Sequence, residues 1–200
     1  MSKLYYRYAS MNSGKSTDLL TTAYNYKEMG HSVRYFTSSL DDRYSVGKIT
    51  SRIGIEADSN IIKPNSLDAL EECYNEISKQ IQEEIVLDVE KKTVFAILVD
   101  ECQFLSKEQV DKLTDFVDNL GVVVFCYGIR TDFQSNLFEG SKRLFEVADT
   151  ITELKNMCSC GAKATMNARL VDNTDKVFIG GNESYQSMCR KCHKLHMESK

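Results

Sequence analysis

The stretch Ala9-Ser10-Met11-Asn12-Ser13-Gly14-Lys15-Ser16, set directly behind the apolar run Leu4-Tyr5-Tyr6-Arg7-Tyr8, constrains this chain more than any other. It follows the pattern G-x-x-x-x-G-K-[ST]. In such a loop, between a strand and a helix, backbone N–H groups wrap around phosphate oxygens and glycine keeps a Cβ out of their way. Lys15 then reaches the β- and γ-phosphates, and the Ser16 hydroxyl is offered to Mg²⁺. Ala9 stands where the pattern has its first glycine, and alanine is the smallest substitute. A serine- and glycine-rich turn with a surface lysine is the alternative, so the reading needs a second motif on a second strand.

That motif is Thr93-Val94-Phe95-Ala96-Ile97-Leu98-Val99, apolar throughout and followed by Asp100-Glu101. A strand buried on both faces needs such a composition, which places it near the middle of a parallel sheet. Ligands of such sheets bind at the carboxyl ends of the strands. Asp100 there would hold Mg²⁺, directly or through water, and Glu101 would accept a proton from an incoming nucleophile. The nucleophile stays open. Water would make the chain an ATPase or motor, and a substrate hydroxyl would make it a small-molecule kinase. A chain of 200 residues with a formal net charge of −4 shows neither a duplex-binding surface nor a second motor domain, which favours the kinase.

The rest of the first 155 residues alternates helix and strand signals. Leu19, Leu20, Ala23, Tyr24 and Lys27 fall on helical spacing, with Gly30 as the stop, and Val33 to Thr37 reads as the next strand. The polar stretch Ser38 to Asn60 reads as a long mobile loop. After Pro64 and Asn65, a helix carries Leu67, Leu70, Cys73, Tyr74, Ile77 and Ile81 on one face. Ser106 and Gln109 form a capping box for a helix ending at Gly121, and Val122 to Cys126 is a second continuous apolar strand. A helix over Ser141 to Ala148 and a strand over Thr150 to Leu154 follow. These elements predict an α/β fold of the P-loop NTPase type, a parallel sheet flanked by helices, over residues 1–155. Composition changes at Met157, so residues 156–200 form a small C-terminal β subdomain.

Four of the seven cysteines lie in that last part: Cys158, Cys160, Cys189 and Cys192. Two close pairs of soft thiolates suit tetrahedral Zn²⁺, and a closed four-ligand site is structural. His193 or His196 in place of Cys192, four unligated thiols, or a redox pair are the alternatives. A small appendage with few large apolar residues needs a staple, which favours a zinc ribbon. Cys102 and Cys126, beside the proposed site, read as packing residues. No apolar run approaches the roughly eighteen residues of a membrane span, and the polar start lacks a signal-peptide core. The expectation is a cytoplasmic protein without membrane or nucleic-acid partners.

Taken together, the loop Ala9 to Thr17, Val99-Asp100-Glu101-Cys102-Gln103-Phe104, Tyr127 to Phe133 and Ile179-Gly180-Gly181-Asn182-Glu183-Ser184-Tyr185 resemble, in the same order, the signatures of the zinc-containing (type II) thymidine kinases. The two cysteine pairs fall where that family has its zinc ribbon. The resemblance implies ATP-dependent phosphorylation of the thymidine 5′-hydroxyl, with Glu101 as catalytic base. ATP would be held by the loop residues Ala9, Ser10, Met11, Asn12, Ser13, Gly14, Lys15 and Ser16, with Asp100 and Gln103. The nucleoside pocket would comprise Met11, Phe104, Phe133, Asn167, Gly180 and Tyr185. Lys176 to Gly181 would form a lasso gripping thymine through backbone groups, and Asp41 and Arg43 a loop near the transferred phosphate. Homotetramer assembly and feedback inhibition by thymidine triphosphate are implied in the same way. Because the ribbon would anchor the lasso, loss of zinc is expected to disorder the nucleoside pocket rather than abolish ATP affinity.

Overall fold

The computed structural model describes residues 3–41, 47–90, 92–172, 180 and 183–199. In chain order the elements are β1 (Leu4–Ala9), α1 (Lys15–Glu28), β2 (Ser32–Ser38), β3 (Lys48–Thr50), β4 (Glu56–Asp58), β5 (Asn60–Ile62), α2 (Asp68–Val86) and β6 (Phe95–Val99). They continue with α3 (Lys107–Leu120), β7 (Val123–Ile129), α4 (Glu139–Val147), β8 (Thr150–Glu153), β9 (Met166–Arg169), β10 (Tyr185–Met188) and α5 (Arg190–Glu198).

Six strands form a parallel sheet in the order β5-β2-β6-β7-β1-β8. Strand β6 is buried along its whole length, as its unbroken apolar composition requires. Its side chains alternate between two cores. Phe95, Ile97 and Val99 pack with α2, α3 and α4, whereas Ala96 and Leu98 pack with Leu19, Leu20 and Ala23 of α1. Strand β7 repeats this, Val124 and Cys126 facing one core and Phe125 and Tyr127 the other. Each such large side chain contributes about 1.5–3 kcal/mol by leaving water, so the middle strands are the most firmly fixed. Arg7 of β1 and Tyr127 of β7 both donate to Asp18 of α1, at 2.6 and 2.9 Å, which locks the first helix to the sheet.

Local signals explain the ends of the helices. Gly30, at φ 77°, follows α1 as expected. Ser106 and Gln109 form the reciprocal capping box of α3, and Gly121 closes that helix at φ 68°. Two expectations need correction. Tyr24 is 60% exposed rather than inward, because one residue beyond Ala23 is about 100° further round the helix and off the narrow buried stripe. The stretch 38–60 is not a structureless loop. Its described part holds the β3–β4 hairpin and then β5, the edge strand of the sheet. Each of these strands is three residues long, too short for a period-two pattern to register.

After β8 the chain leaves the sheet. Strands β9 and β10 pair antiparallel, and Cys158, Ala164 and Cys189 form a small core of their own with Met188 and Cys192.

The turn between β6 and α3 is held at unusually close range. A Cβ on Gly140 of α4 would lie 2.4 Å from the Cys102 carbonyl oxygen and 2.8 Å from that of Leu105. One on Gly128 of β7 would lie 2.6 Å from Gln103 Oε1 and 2.7 Å from Cys102 Sγ. Glycine to alanine within a helix ordinarily stabilises. Here the added methyl meets backbone, so Gly140→Ala is expected to destabilise the fold by about 2–4 kcal/mol in thermal or denaturant unfolding.

Candidate nucleotide and acceptor site

Strands β1 and β6 are not neighbours; β7 runs between them. Ala9 pairs with Ile129 and Val99 with Cys126, so the carboxyl ends of β1, β7 and β6 open on one edge of the sheet. Ala9 is the last residue of β1, 3% exposed and inside the strand pairing, which is why a Cβ is accommodated there. Left-handed conformations at Asn12 (φ 61°) and Gly14 (φ 77°) then fold the loop back onto the start of α1. Such residues line up successive N–H groups as an anion cradle, and the helix N-terminus adds its dipole. Lys15 Nζ donates to the Ser10 carbonyl at 3.1 Å, and Lys15 is 8% exposed.

Ser16 Oγ donates to Asp100 Oδ2 at 2.8 Å. This bond ties the loop of β1 to the end of β6 across the intervening strand. Burial, with Glu101 beside it, pushes the Asp100 carboxyl up to about 7, against the opposing pull of Ser16 and Lys15. Two oxygens, one from each motif, thus converge where a divalent cation would be held. A carboxyl at that depth carries a charge comfortably only with a cation beside it.

Glu101 adopts φ 51°, a left-handed conformation that costs a residue with a side chain of order 1 kcal/mol or more. The tight turn against Gly128 and Gly140 holds it there. Gln103 Nε2 donates to Glu101 Oε2 at 2.5 Å, while Gln103 Oε1 accepts from the Ile129 N–H at 3.1 Å. The backbone of β7 therefore fixes which way the Gln103 amide faces, and that amide fixes the carboxylate.

Both motifs face a cavity of about 270 Å³. Of the residues expected to bind nucleotide or nucleoside, Met11, Asn12, Ser13, Gly14, Lys15, Ser16, Glu101, Gln103, Phe104, Phe133, Asn167, Gly180 and Tyr185 line it. Ala9, Ser10 and Asp100 stand behind that lining, and Asp41 is not part of it. Arg43 lies outside the described residues, as does the expected lasso apart from Gly180. Asn167 is more committed than expected. Its Oδ1 accepts from the Met11 N–H at 2.8 Å and its Nδ2 donates to the Thr131 carbonyl at 3.3 Å.

Three contributions escape a reading of the sequence. Thr50 to Ile53, the tip of the β3–β4 hairpin, line the cavity from a stretch read as loop. Asn156 and Ser187 hydrogen-bond the phosphate loop from the C-terminal part. Arg169, 2% exposed, sits 3.9 Å above the Phe133 ring and donates to the Tyr185 hydroxyl from Nε and Nη2 at 3.1 and 2.6 Å. Only Asn156 and Ser187 carried any signal, by their place just ahead of the cysteine pairs.

The four sulfurs of Cys158, Cys160, Cys189 and Cys192 lie within 4.8 Å of one another, and Cys160 and Cys189 are 3.7 Å apart. Tetrahedral Zn²⁺ with bonds near 2.3 Å needs sulfurs about 3.8 Å apart, so this donor set fits it. Backbone N–H groups of Cys160 and Cys189 pull the Cys158 thiol down to about 6, while the neighbouring sulfurs push Cys192 up to about 12. Sulfurs this close can all ionise only around a cation. Among the described residues the cluster of donor atoms takes in Cys192 and not His193, whose Nε2 lies 2.9 Å from the Phe133 carbonyl. His196 is turned to the Arg169 carbonyl, also at 2.9 Å.

A phosphate-cradling loop at one strand end, tied to an acidic strand end and facing an acceptor-sized cavity, defines an α/β protein of the P-loop nucleotide-binding class. The thymidine kinase family model matches residues 2–193. Similar relatives include the thymidine kinases of Vibrio parahaemolyticus serotype O3:K6, 46% identical over 97% of each chain, and Haemophilus influenzae strain 86-028NP, also 46% identical over 97% of each chain. The chain belongs to the thymidine kinase family.

The raised Asp100 carboxyl has a consequence for the nucleotide-free protein. It holds a proton in the fold that the unfolded chain has already released, so stability falls as pH rises from near 4 towards 7. Asp100→Asn is expected to raise the melting temperature by about 5 °C or more at pH 8. That advantage should vanish near pH 4, as read by thermal melts without nucleotide or Mg²⁺.

Proposed function

We propose that this chain transfers the γ-phosphoryl group of ATP to the 5′-hydroxyl of thymidine, giving thymidine monophosphate and ADP. The observation that carries the proposal is the Ser16–Asp100 bond. It ties the loop of β1 to the strand end that leads into Glu101, and residues of both line one cavity, which supports reading them as triphosphate cradle and base. Glu101 accepts the proton of the 5′-hydroxyl as that oxygen bonds to the γ-phosphorus, and the bond to the β–γ bridging oxygen breaks to release ADP. Lys15 and the loop amides of Ser10 to Ser16 offset the charge on the transferred group, and Gln103 keeps the Glu101 carboxylate in place. Ser16 and Asp100 would hold Mg²⁺, which neutralises phosphate charge.

Phe104, Phe133 and Tyr185 supply apolar walls for thymine and its methyl group. Met11, Asn167 and Gly180 complete the acceptor side. Asp41 and Arg43 are assigned to the phosphate side on family resemblance. Cys158, Cys160, Cys189 and Cys192 would hold a structural Zn²⁺ in the C-terminal subdomain. Among the described residues no helix is long and apolar enough to cross a membrane. Homotetramer assembly, a cytoplasmic location, inhibition by thymidine triphosphate and the absence of a nucleic-acid partner belong to the same proposal, on the strength of family membership.

Phosphate transfer from labelled ATP to thymidine, thymidine monophosphate or no acceptor tests the reading. Thymidine is the acceptor expected to be labelled; label on the monophosphate alone, or hydrolysis alone, would replace it with a nucleotide kinase or an ATPase. Glu101→Gln is expected to lower kcat about 100-fold or more. It should leave binding of a non-hydrolysable ATP analogue within about twofold of wild type, since the substitution keeps size and removes the proton acceptor. Elemental analysis of the purified protein should find about one zinc per chain, and Cys189→Ser should lose it.

A further inference from the structure

The N–H and the carbonyl of Met11 are each held by residues far along the chain. The Met11 N–H donates to Asn167 Oδ1 at 2.8 Å. Its carbonyl accepts from Asn156 Nδ2 at 2.8 Å and from Ser187 Oγ at 2.5 Å. Ser187 and Asn167 are directly opposed across the β9–β10 pair, so one ribbon grips both the N–H and the carbonyl of a single loop residue. Asn156 cannot turn its amide over, because its Oδ1 accepts from the Met157 N–H at 2.8 Å. Its Nδ2 also reaches Ser10 Oγ at 3.2 Å.

The positions of these two carbonyl donors are not arbitrary with respect to the cysteines. Asn156 stands two residues ahead of Cys158, and Ser187 two residues ahead of Cys189. The sulfur cluster therefore ties together the two segments that hold the Met11 carbonyl. A trans peptide points its C=O and N–H in opposite directions. A Met11 carbonyl drawn to the C-terminal segment thus turns the Asn12 N–H away from that segment. Asn12, in its left-handed conformation, begins the curl of amides that ends at Gly14.

We propose that Asn156 and Ser187 are positioning residues that set the phosphate loop from the C-terminal segment, so that the cysteine cluster supports triphosphate binding as well as the nucleoside side. This rests on the reading of the loop as a triphosphate cradle, and it adds a partial loss of ATP affinity to the disordered nucleoside pocket expected when zinc is lost. Neither side chain lines the cavity, so each acts through the Met11 carbonyl.

Calorimetric binding of the non-hydrolysable analogue AMP-PNP with Mg²⁺, and separately of thymidine, tests it in the full-length protein. One net hydrogen bond corresponds to about a fivefold change in affinity. Ser187→Ala should weaken AMP-PNP about fivefold and Ser187→Thr, which keeps the hydroxyl, should restore it. Asn156→Asp keeps the shape but sets an oxygen against the Met11 carbonyl, and should weaken AMP-PNP by at least as much. Thymidine affinity should fall by less than AMP-PNP affinity in these variants, Met11 being shared by both sides of the cavity, with circular dichroism and melting curves reporting the fold. Protein stripped of zinc and resupplied with Mg²⁺ should lose AMP-PNP affinity about as Ser187→Ala does. AMP-PNP binding unchanged in Ser187→Ala and Asn156→Asp would overturn the proposal, as would equal weakening of both ligands without rescue by threonine. Since AMP-PNP binding is read without acceptor, failure of thymidine as substrate would leave this test intact.

Discussion

The register of three parallel strands governs everything that happens at the site. Strand β7 lies between β1 and β6, and its pairing with both brings their carboxyl ends to a common edge. A slip of one residue in the β6–β7 pairing would exchange the two faces of β6, whose side chains are all buried. The alternation of β6 between the two cores makes that slip prohibitive. The phosphate loop and the acidic strand end are therefore opposed because hydrophobic packing far beneath them permits no other alignment.

Local strain is added on top of that frame. Asn12 and Glu101 both occupy left-handed backbone conformations, one in each motif. Neither would persist in an isolated peptide. Around Glu101 the compensation is visible: a turn pressed onto two glycines, with an amide side chain anchored on β7. Around the loop it comes from hydrogen bonds that cross most of the chain's length. Strain supported from outside is what holds reacting groups still before a substrate arrives.

How much of this a sequence can carry depends on the range of the interaction involved. The unbroken apolar strands, the Ser106–Gln109 capping box, the glycine stops and the lysine-serine loop are written over a few residues each, and they were legible for that reason. The roles of Asn156, Ser187 and Arg169 depend on partners far away in the chain; the first two are marked only by their place ahead of the cysteine pairs, and nothing marks Arg169. The hairpin between β2 and β5 was hidden by brevity. The fourth position of the cysteine cluster needed coordinates as well. Cys192 and His193 are adjacent in sequence, and only the fold shows the Cys192 sulfur gathered with the other three while the His193 Nε2 meets the Phe133 carbonyl.

Arg169 is among the largest fully buried side chains. Its guanidinium is buried beneath one aromatic wall of the cavity and bonded to the hydroxyl of another. A cation so far from water takes part of its compensation from the ring face and the phenol. The two rings and the cation are therefore coupled: replacing either aromatic residue takes one partner from the charge, and replacing the arginine loosens both rings. Among descendants of this sequence, positions 133, 169 and 185 should accordingly drift in concert, so that these two walls of the cavity are reshaped through several substitutions at once.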